Sequence, residues 1–171
     1  HINEALKSGG GVADADKDDI DGALHSLNKL NESTSGHEVS SVKRELQEVM
    51  QNYFGVFRRG DYMEKGVSAL ADIREKIDNL HLQDKSAAFN TNRVEAIELQ
   101  NLFEVAEATA ISSLQRTESR GAHAREDYPD RDDENWLCHS LYDPTSKSLG
   151  KRKVNFEPKQ VDAFPPKIRT Y

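Results

Sequence analysis

The side chains best equipped for chemistry lie in one run, Glu118-Ser119-Arg120-Gly121-Ala122-His123-Ala124-Arg125-Glu126-Asp127-Tyr128-Pro129-Asp130-Arg131-Asp132-Asp133, with six carboxylates, three arginines and one histidine. Arg120, Arg125 and Arg131 carry planar forks of donors that match a carboxylate two bonds at a time, so the run could clamp an acidic ligand. Glu126-Asp127 and Asp132-Asp133 are paired carboxylates. Such pairs serve acid–base work only where a cleft desolvates them. In a run this charged, ion pairs to Arg120, Arg125 and Arg131 are the simpler expectation. His123 with Asp127, and Cys138-His139 further on, are metal-ligating types, but their spacing fits no zinc pattern: there is no CxxC, no HExxH and a single cysteine. His123 is therefore expected in a polar network beyond a helix end. Cys138 and His139, adjacent on a strand, would point to opposite faces and cannot form a nucleophile–base dyad. Cys138 is expected to be half-buried and structural. No GxGxxG, Walker A or GxSxG motif occurs. Residue chemistry alone yields no catalytic, cofactor-binding or metal-binding residue.

The elements that must position this run are helical. Asp16 to Asn31 carries Ile20, Ala23, Leu24, Leu27 and Leu30 at amphipathic spacing, with Asp16, Asp18 and Asp19 favouring its N-terminus. A second helix over about 39–57 carries Val42, Leu46, Val49, Met50, Tyr53 and Phe57, and the aromatics Tyr53, Phe54 and Phe57 at that spacing are expected in the core. Arg58-Arg59-Gly60-Asp61 reads as a helix end meeting a cap, with Asp61 and Glu64 resembling a capping box. The third helix, about 61–81, carries Met63, Val67, Leu70, Ile73, Ile77 and Leu80. The fourth, about 92–118, repeats the cap with Asn92 and Glu95 and carries Leu99, Leu102, Phe103, Ala106, Ala110 and Leu114. Ala106 and Ala110, one turn apart, suggest close helix approach.

The fold expected is mainly α: an antiparallel three-helix bundle, spectrin-repeat-like, preceded by a short helix and followed by an extended arm with a small β-hairpin. Residues 1–37 read as a linker, tail-like to about residue 15, and the short helix. Residues 38–120 read as the bundle, and 121–171 as the charged arm. The hairpin is expected from Trp136–Tyr142, the turn residues Asp143-Pro144-Thr145-Ser146 and Lys151–Phe156, with a long loop. Phe164–Tyr171 is expected to be extended along a surface, since proline cannot enter a helix interior or a central strand.

Composition narrows the function classes. The formal net charge of −7 and mean hydropathy of −0.79 give an acidic chain with a modest core. Phosphate neutralisation needs clustered Lys and Arg, so nucleic acid is excluded as a partner, and Lys151-Arg152-Lys153 is too short to change that. No apolar run approaches the roughly 20 residues that span a bilayer. One cysteine permits no internal disulfide and suits a reducing compartment. The chain opens at His1 and runs into Ser8-Gly9-Gly10-Gly11, which suggests a piece of a longer protein.

The run Glu118–Arg125 followed by Asp127-Tyr128-Pro129 resembles a signature of the succinate dehydrogenase and fumarate reductase flavoprotein family. Leu46–Asn52 with Val56-Phe57-Arg58, and Phe89–Glu95 with Glu98–Leu102, are similar to that family's bundle helices. Arg131–Leu141 and Phe164–Tyr171 resemble its bacterial succinate dehydrogenase branch in particular. The resemblance implies a C-terminal helical domain belonging to a longer oxidoreductase of the tricarboxylic acid cycle and electron transport. FAD, linked through a histidine, and the dicarboxylate site would lie outside this chain, so no cofactor is expected here and the chain alone is expected to be inactive. The implied partners are the FAD and capping domains of the same polypeptide and an iron–sulfur subunit. The implied place is peripheral, on the cytoplasmic side of the bacterial inner membrane, without insertion. Contact with other domains or subunits is expected at Arg120, His123, Arg125, Asp127, Arg131, Asp132 and Asp133. A fumarate reductase domain and a stand-alone helical interaction module are the alternative expectations. A complete small enzyme would need a site that these residues do not supply.

Overall fold

A computed structural model describes residues 2–7 and 14–167. The core is one cluster in which three helices meet: α3 (Val39–Phe54), α4 (Gly60–Asp78) and α5 (Thr91–Gln115). Val42 and Leu46 of α3, Met63, Leu70 and Ile73 of α4, and Leu99, Phe103 and Ala110 of α5 are all at most 2% exposed. Their spacing is the helical stripe read from the sequence. At Gly66, α4 lies tight against α3: a Cβ there would sit 2.5 Å from Phe54 Cε2 and 2.6 Å from Tyr53 Cβ. Ala106 and Ala110 of α5 are buried as expected of a close approach.

Three small strand pairs tie the elements together. β1 (His37–Glu38) pairs in parallel with β3 (Leu80–His81), which brings the start of α3 to the end of α4. Gly36 makes this possible, with φ +146° and Asn79 O only 2.2 Å from where a Cβ would stand. β2 (Phe57–Arg58) pairs in parallel with β4 (Ala124–Arg125), which brings the α3–α4 connection to the segment after α5. The helices therefore run up, down and up, with α5 antiparallel to α4. β5 (Cys138–Asp143) and β6 (Ser148–Lys153) form an antiparallel hairpin after the short helix α6 (Asp133–Trp136).

Several expectations are corrected. Ile2–Lys7 form a short helix, α1, where a tail was expected, with Glu4 and Lys7 placed to suit the helix dipole. Residues 8–13 and the last four, 168–171, lie outside the described residues. Helix α2 (Lys17–Glu32) is capped by Asp16, which accepts from the Asp18 N–H. Its apolar stripe has little to pack against, since Leu30 is buried but Ile20 and Leu24 are 46% and 51% exposed. Helix α3 stops at Phe54 rather than 57, because Arg58 Nε donates to Phe54 O (3.3 Å) and Gly55 O (3.1 Å) and caps its end. Phe57 thereby leaves the core and is 76% exposed, while Leu102 faces outward on α5.

Neither expected capping box forms. Asp61 pairs with Arg59, and α4 begins at Gly60. Asn90 caps α5 by accepting from the Arg93 N–H, while Asn92 accepts from the Gln83 N–H. The hairpin connection is short rather than long. Asp143 accepts from the Thr145 N–H (2.9 Å) and the Ser146 hydroxyl (2.9 Å), an Asx turn that lets pairing resume at Ser148.

Candidate functional site

The charged run does not dissolve into water. It folds back onto the end of the bundle where α3 ends, α4 begins and α5 ends. Arg125 is at its centre, its side chain 2% exposed. Its Nη1 donates to the carbonyls of Ser113 (3.1 Å), Leu114 (2.9 Å) and Arg116 (3.2 Å), which α5 leaves open at its C-terminus. Its Nε and Nη2 grip Asp127 bidentately, both at 2.7 Å. Asp127 Oδ2 also accepts from the Gly60 N–H at 2.9 Å, at the start of α4. One ion pair thus caps two helices of opposite direction, a cation on carbonyls and an anion on an N–H, as the helix dipoles favour. The Arg125 bond, with help from Gly60, outweighs burial and holds the Asp127 pKa down to about 2.

A second node is Glu118, which is fully buried. Its Oε1 accepts from Arg116 Nε (2.8 Å) and Arg120 Nε (2.7 Å). Its Oε2 accepts from Arg120 Nη2 (2.9 Å) and the Asp132 N–H (2.9 Å). Burial pushes this carboxyl up, but the Arg120, Asp132 and Arg116 bonds together hold it below its usual value. Arg120 reaches on to Asp133 (2.6 Å), and its own pKa is raised by Glu118 against the cost of burial. Arg131 donates to the other Asp133 oxygen (2.8 Å) and to Lys167 O (2.8 Å), which fixes the tail near Pro166. Among the described residues no arginine pairs with the Asp132 carboxylate, which caps α6 by accepting from the Asn135 N–H at 2.9 Å. Arg116 crosses from α5 to the hairpin, bonding Cys138 O (3.2 Å) with its guanidinium 5.2 Å from the Trp136 ring. Glu107 holds the hairpin's far end, accepting from Tyr142 Oη (3.0 Å) and Arg74 Nη2 (3.2 Å).

His123 sits in the expected polar network beyond the helix end. Its Nδ1 meets Arg58 Nη1 at 2.8 Å and its Nε2 meets Arg116 O at 3.1 Å. Burial lowers its pKa and the Arg116 carbonyl raises it; Arg58, Arg125 and Arg116 lower it further, leaving it below the ordinary value. Cys138 is half-buried and His139 exposed, on opposite faces of β5. Among the described residues no group of three His, Cys, Asp or Glu side chains could hold a metal ion.

The arrangement brings all seven expected residues into one network. The arginine forks that could have clamped a ligand are closed on this chain's own carboxylates. Arg58, Glu118 and Arg116 are essential members that the sequence argument did not single out as site residues. A signal for two of them was present: in an extended chain residues two apart share a face, and Arg116, Glu118 and Arg120 alternate in sign at that spacing. Beside the network an open cleft of about 800 Å³ runs between Phe57, Gly121, Ala124, Pro129 and Pro166.

A family model described as fumarate reductase flavoprotein C-term matches residues 43–171. The chain belongs to this family. It is 42% identical over 169 residues to the succinate dehydrogenase flavoprotein subunit of Coxiella burnetii, covering 99% of this chain and 29% of the relative. It is 32% identical to the fumarate reductase flavoprotein subunit of Haemophilus influenzae, covering 98% of this chain and 27% of the relative. The solved structure of a mutant E. coli quinol fumarate reductase superposes with a TM-score of 0.78 at 28% identity, over 93% of this chain and 28% of that one. The chain therefore spans under a third of the curated relatives it matches. The family match takes in α4, α5, the charged run and the hairpin, so the whole network lies within the matched region.

Proposed function

We propose that this chain is the C-terminal helical domain of a succinate dehydrogenase flavoprotein and acts there as a scaffold. The observation that carries the proposal is the higher identity, over nearly the whole chain, to the C. burnetii succinate dehydrogenase subunit than to the H. influenzae fumarate reductase subunit. In this proposal the whole protein oxidises succinate to fumarate, passing hydride to FAD and electrons through an iron–sulfur subunit to a quinone. The described residues do not fit a flavin site themselves. They include no glycine-rich strand-to-helix turn, and their parallel pairings are two residues long. FAD then belongs to the remainder of the polypeptide, and the chain alone is inactive. Among the described residues no helix is long and apolar enough to cross a membrane. The place proposed for the whole protein is peripheral, on the cytoplasmic side of the inner membrane. Residues 1–37 lead in from the flavin region, 38–120 form the bundle and 121–171 the arm. The contact with the FAD and capping domains or the iron–sulfur subunit is assigned to the arm: Arg120, His123, Arg125 and Asp127 shape it, and Arg131, Asp132 and Asp133 form its rim. The test is to purify the full-length protein with its partner subunits and assay succinate-dependent quinone reduction and bound flavin. Turnover of neither succinate nor fumarate would overturn the proposal. A fumarate reductase role is the second reading, favoured by the likeness to the E. coli structure; faster fumarate reduction than succinate oxidation by that complex would select it.

A further inference from the structure

We propose that His123 is an acid-sensitive latch, which tightens the charged arm on the bundle while its ring is neutral and loosens it when the ring takes up a second proton. The geometry fixes the tautomer. A guanidinium has no acceptor, so Arg58 Nη1, 2.8 Å away, donates and Nδ1 is the bare nitrogen. Nε2 then carries the one hydrogen and donates to Arg116 O at 3.1 Å. A second proton has only Nδ1 to occupy, and it would face a cation that offers no lone pair.

The charged groups facing the ring are of one sign: Arg58 from β2, Arg125 from β4, and Arg116 from the end of α5. The acids of the network are already engaged, Glu118 by Arg116 and Arg120, and Asp127 by Arg125 and the Gly60 N–H. Burial and these three arginines keep the imidazole below the ordinary histidine pKa, against the pull of the Arg116 carbonyl. Protonation must therefore break the Arg58 contact. Three things hang on that contact. The turn closed by Arg120 N–H to His123 O (2.8 Å) and His123 N–H to Arg120 O (3.0 Å) is held in place by the ring. The β2–β4 pairing continues as Glu126 N–H to Arg58 O at 2.8 Å. Arg58 also caps α3, so its displacement reaches the α3–α4 connection.

The sign follows from linkage. The folded pKa is depressed, so the latch is fully closed above about pH 6.5. It loosens as pH falls from there towards the lower folded value, with the opening equilibrium rising up to about tenfold per pH unit. The proposal does not depend on which reaction the whole protein performs.

The test is amide hydrogen exchange of the purified chain at pH 7.5 and 5.5, corrected for intrinsic rates. The expected result is up to about tenfold loss of protection across residues 119–126 at the lower pH, with the amides in the middle of α4, around Leu70 and Ile73, unchanged. In H123Q the side-chain oxygen can accept from Arg58 and the amide can donate to Arg116 O, so the pH dependence should vanish. Equal protection at both pH values, or the same pH-dependent loss in H123Q, would overturn the latch. If H123Q is unprotected throughout, NMR of the unaltered protein decides. Arm amide shifts that move with the midpoint of the His123 ring, below pH 6.5 and from an Nε2–H tautomer, support it. A different midpoint or an Nδ1–H tautomer refutes it.

Discussion

Arg125 shows how much one side chain can carry when it is almost fully buried. Its Nη1 serves three carbonyls while its Nε and Nη2 hold the carboxylate bidentately. Arg125→Ala would strip the end of α5 and leave Asp127 without its cation. Breaking a fully buried pair by removing one partner costs about 3–5 kcal/mol. The Asp127 side chain is 35% exposed and water takes up part of its charge, so the loss should fall below that range, and the urea midpoint at unchanged slope will report it. Arg125→Lys should recover little, since an ammonium cannot bridge three carbonyls and two carboxylate oxygens at once. Asp127 gives the pH counterpart. Its carboxyl sits at about 2 in the fold against an ordinary 3.8, so its contribution is complete above pH 3.8 and lost as pH falls through about 2. Thermal melts between pH 2 and 5 should show this fall in the unaltered protein. Asp127→Asn should start lower and lose the part of the slope that belongs to this group.

At the scale of elements, what was legible in the sequence and what was not divide along a physical line. The stripes of α3, α4 and α5 repeat every three to four residues, and burial follows them, so the helices and their core could be read. Their ends could not, because the groups that terminate them come from far along the chain: Arg125 for α5 and Asp127 for α4. The pairings β1–β3 and β2–β4 are invisible for a related reason, since two residues cannot show an alternation. In α2 the period was plain but nothing in it told that Ile20 and Leu24 would lie exposed. The residues of the Glu118–Asp133 run meet in one network, with Arg120, Arg125 and Arg131 ion-paired to carboxylates as their charges suggest, whereas Asp132 caps α6 instead of pairing with an arginine. The close packing at Gly66 was also hidden, and it can be tested. Ala is a better helix former than Gly by about 1 kcal/mol, but a Cβ here would meet Phe54 and Tyr53 at 2.5–2.6 Å. Overpacking of this kind costs about 1–3 kcal/mol, so Gly66→Ala should lower Tm. A rise in Tm would mean that α3 and α4 have room to separate.

For the whole molecule the question is whether the arm works inward, outward or both, and two arginines separate the answers. Arg120 spends its fork on Glu118, which has no access to solvent, so Arg120→Glu would place two carboxylates together in the interior and loosen the arm itself. Arg131 lies further out, on the half-exposed Asp133 and the Lys167 carbonyl. Pairs of that kind are worth about 0–1 kcal/mol, so Arg131→Glu should leave the melting of the domain nearly unchanged. Both variants belong in the full-length flavoprotein proposed above, co-produced with the subunits proposed to partner it and followed by the fraction that stays in the complex on dilution. If the arm's rim is a docking surface, Arg131→Glu lowers that fraction although its domain stays folded, and added salt weakens the unaltered complex in the same direction. Arg120→Glu lowers it too, but together with Tm. Assembly of Arg131→Glu at the unaltered level would assign the arm to the interior of this domain alone, as the brace that joins the end of α5 to the start of α4.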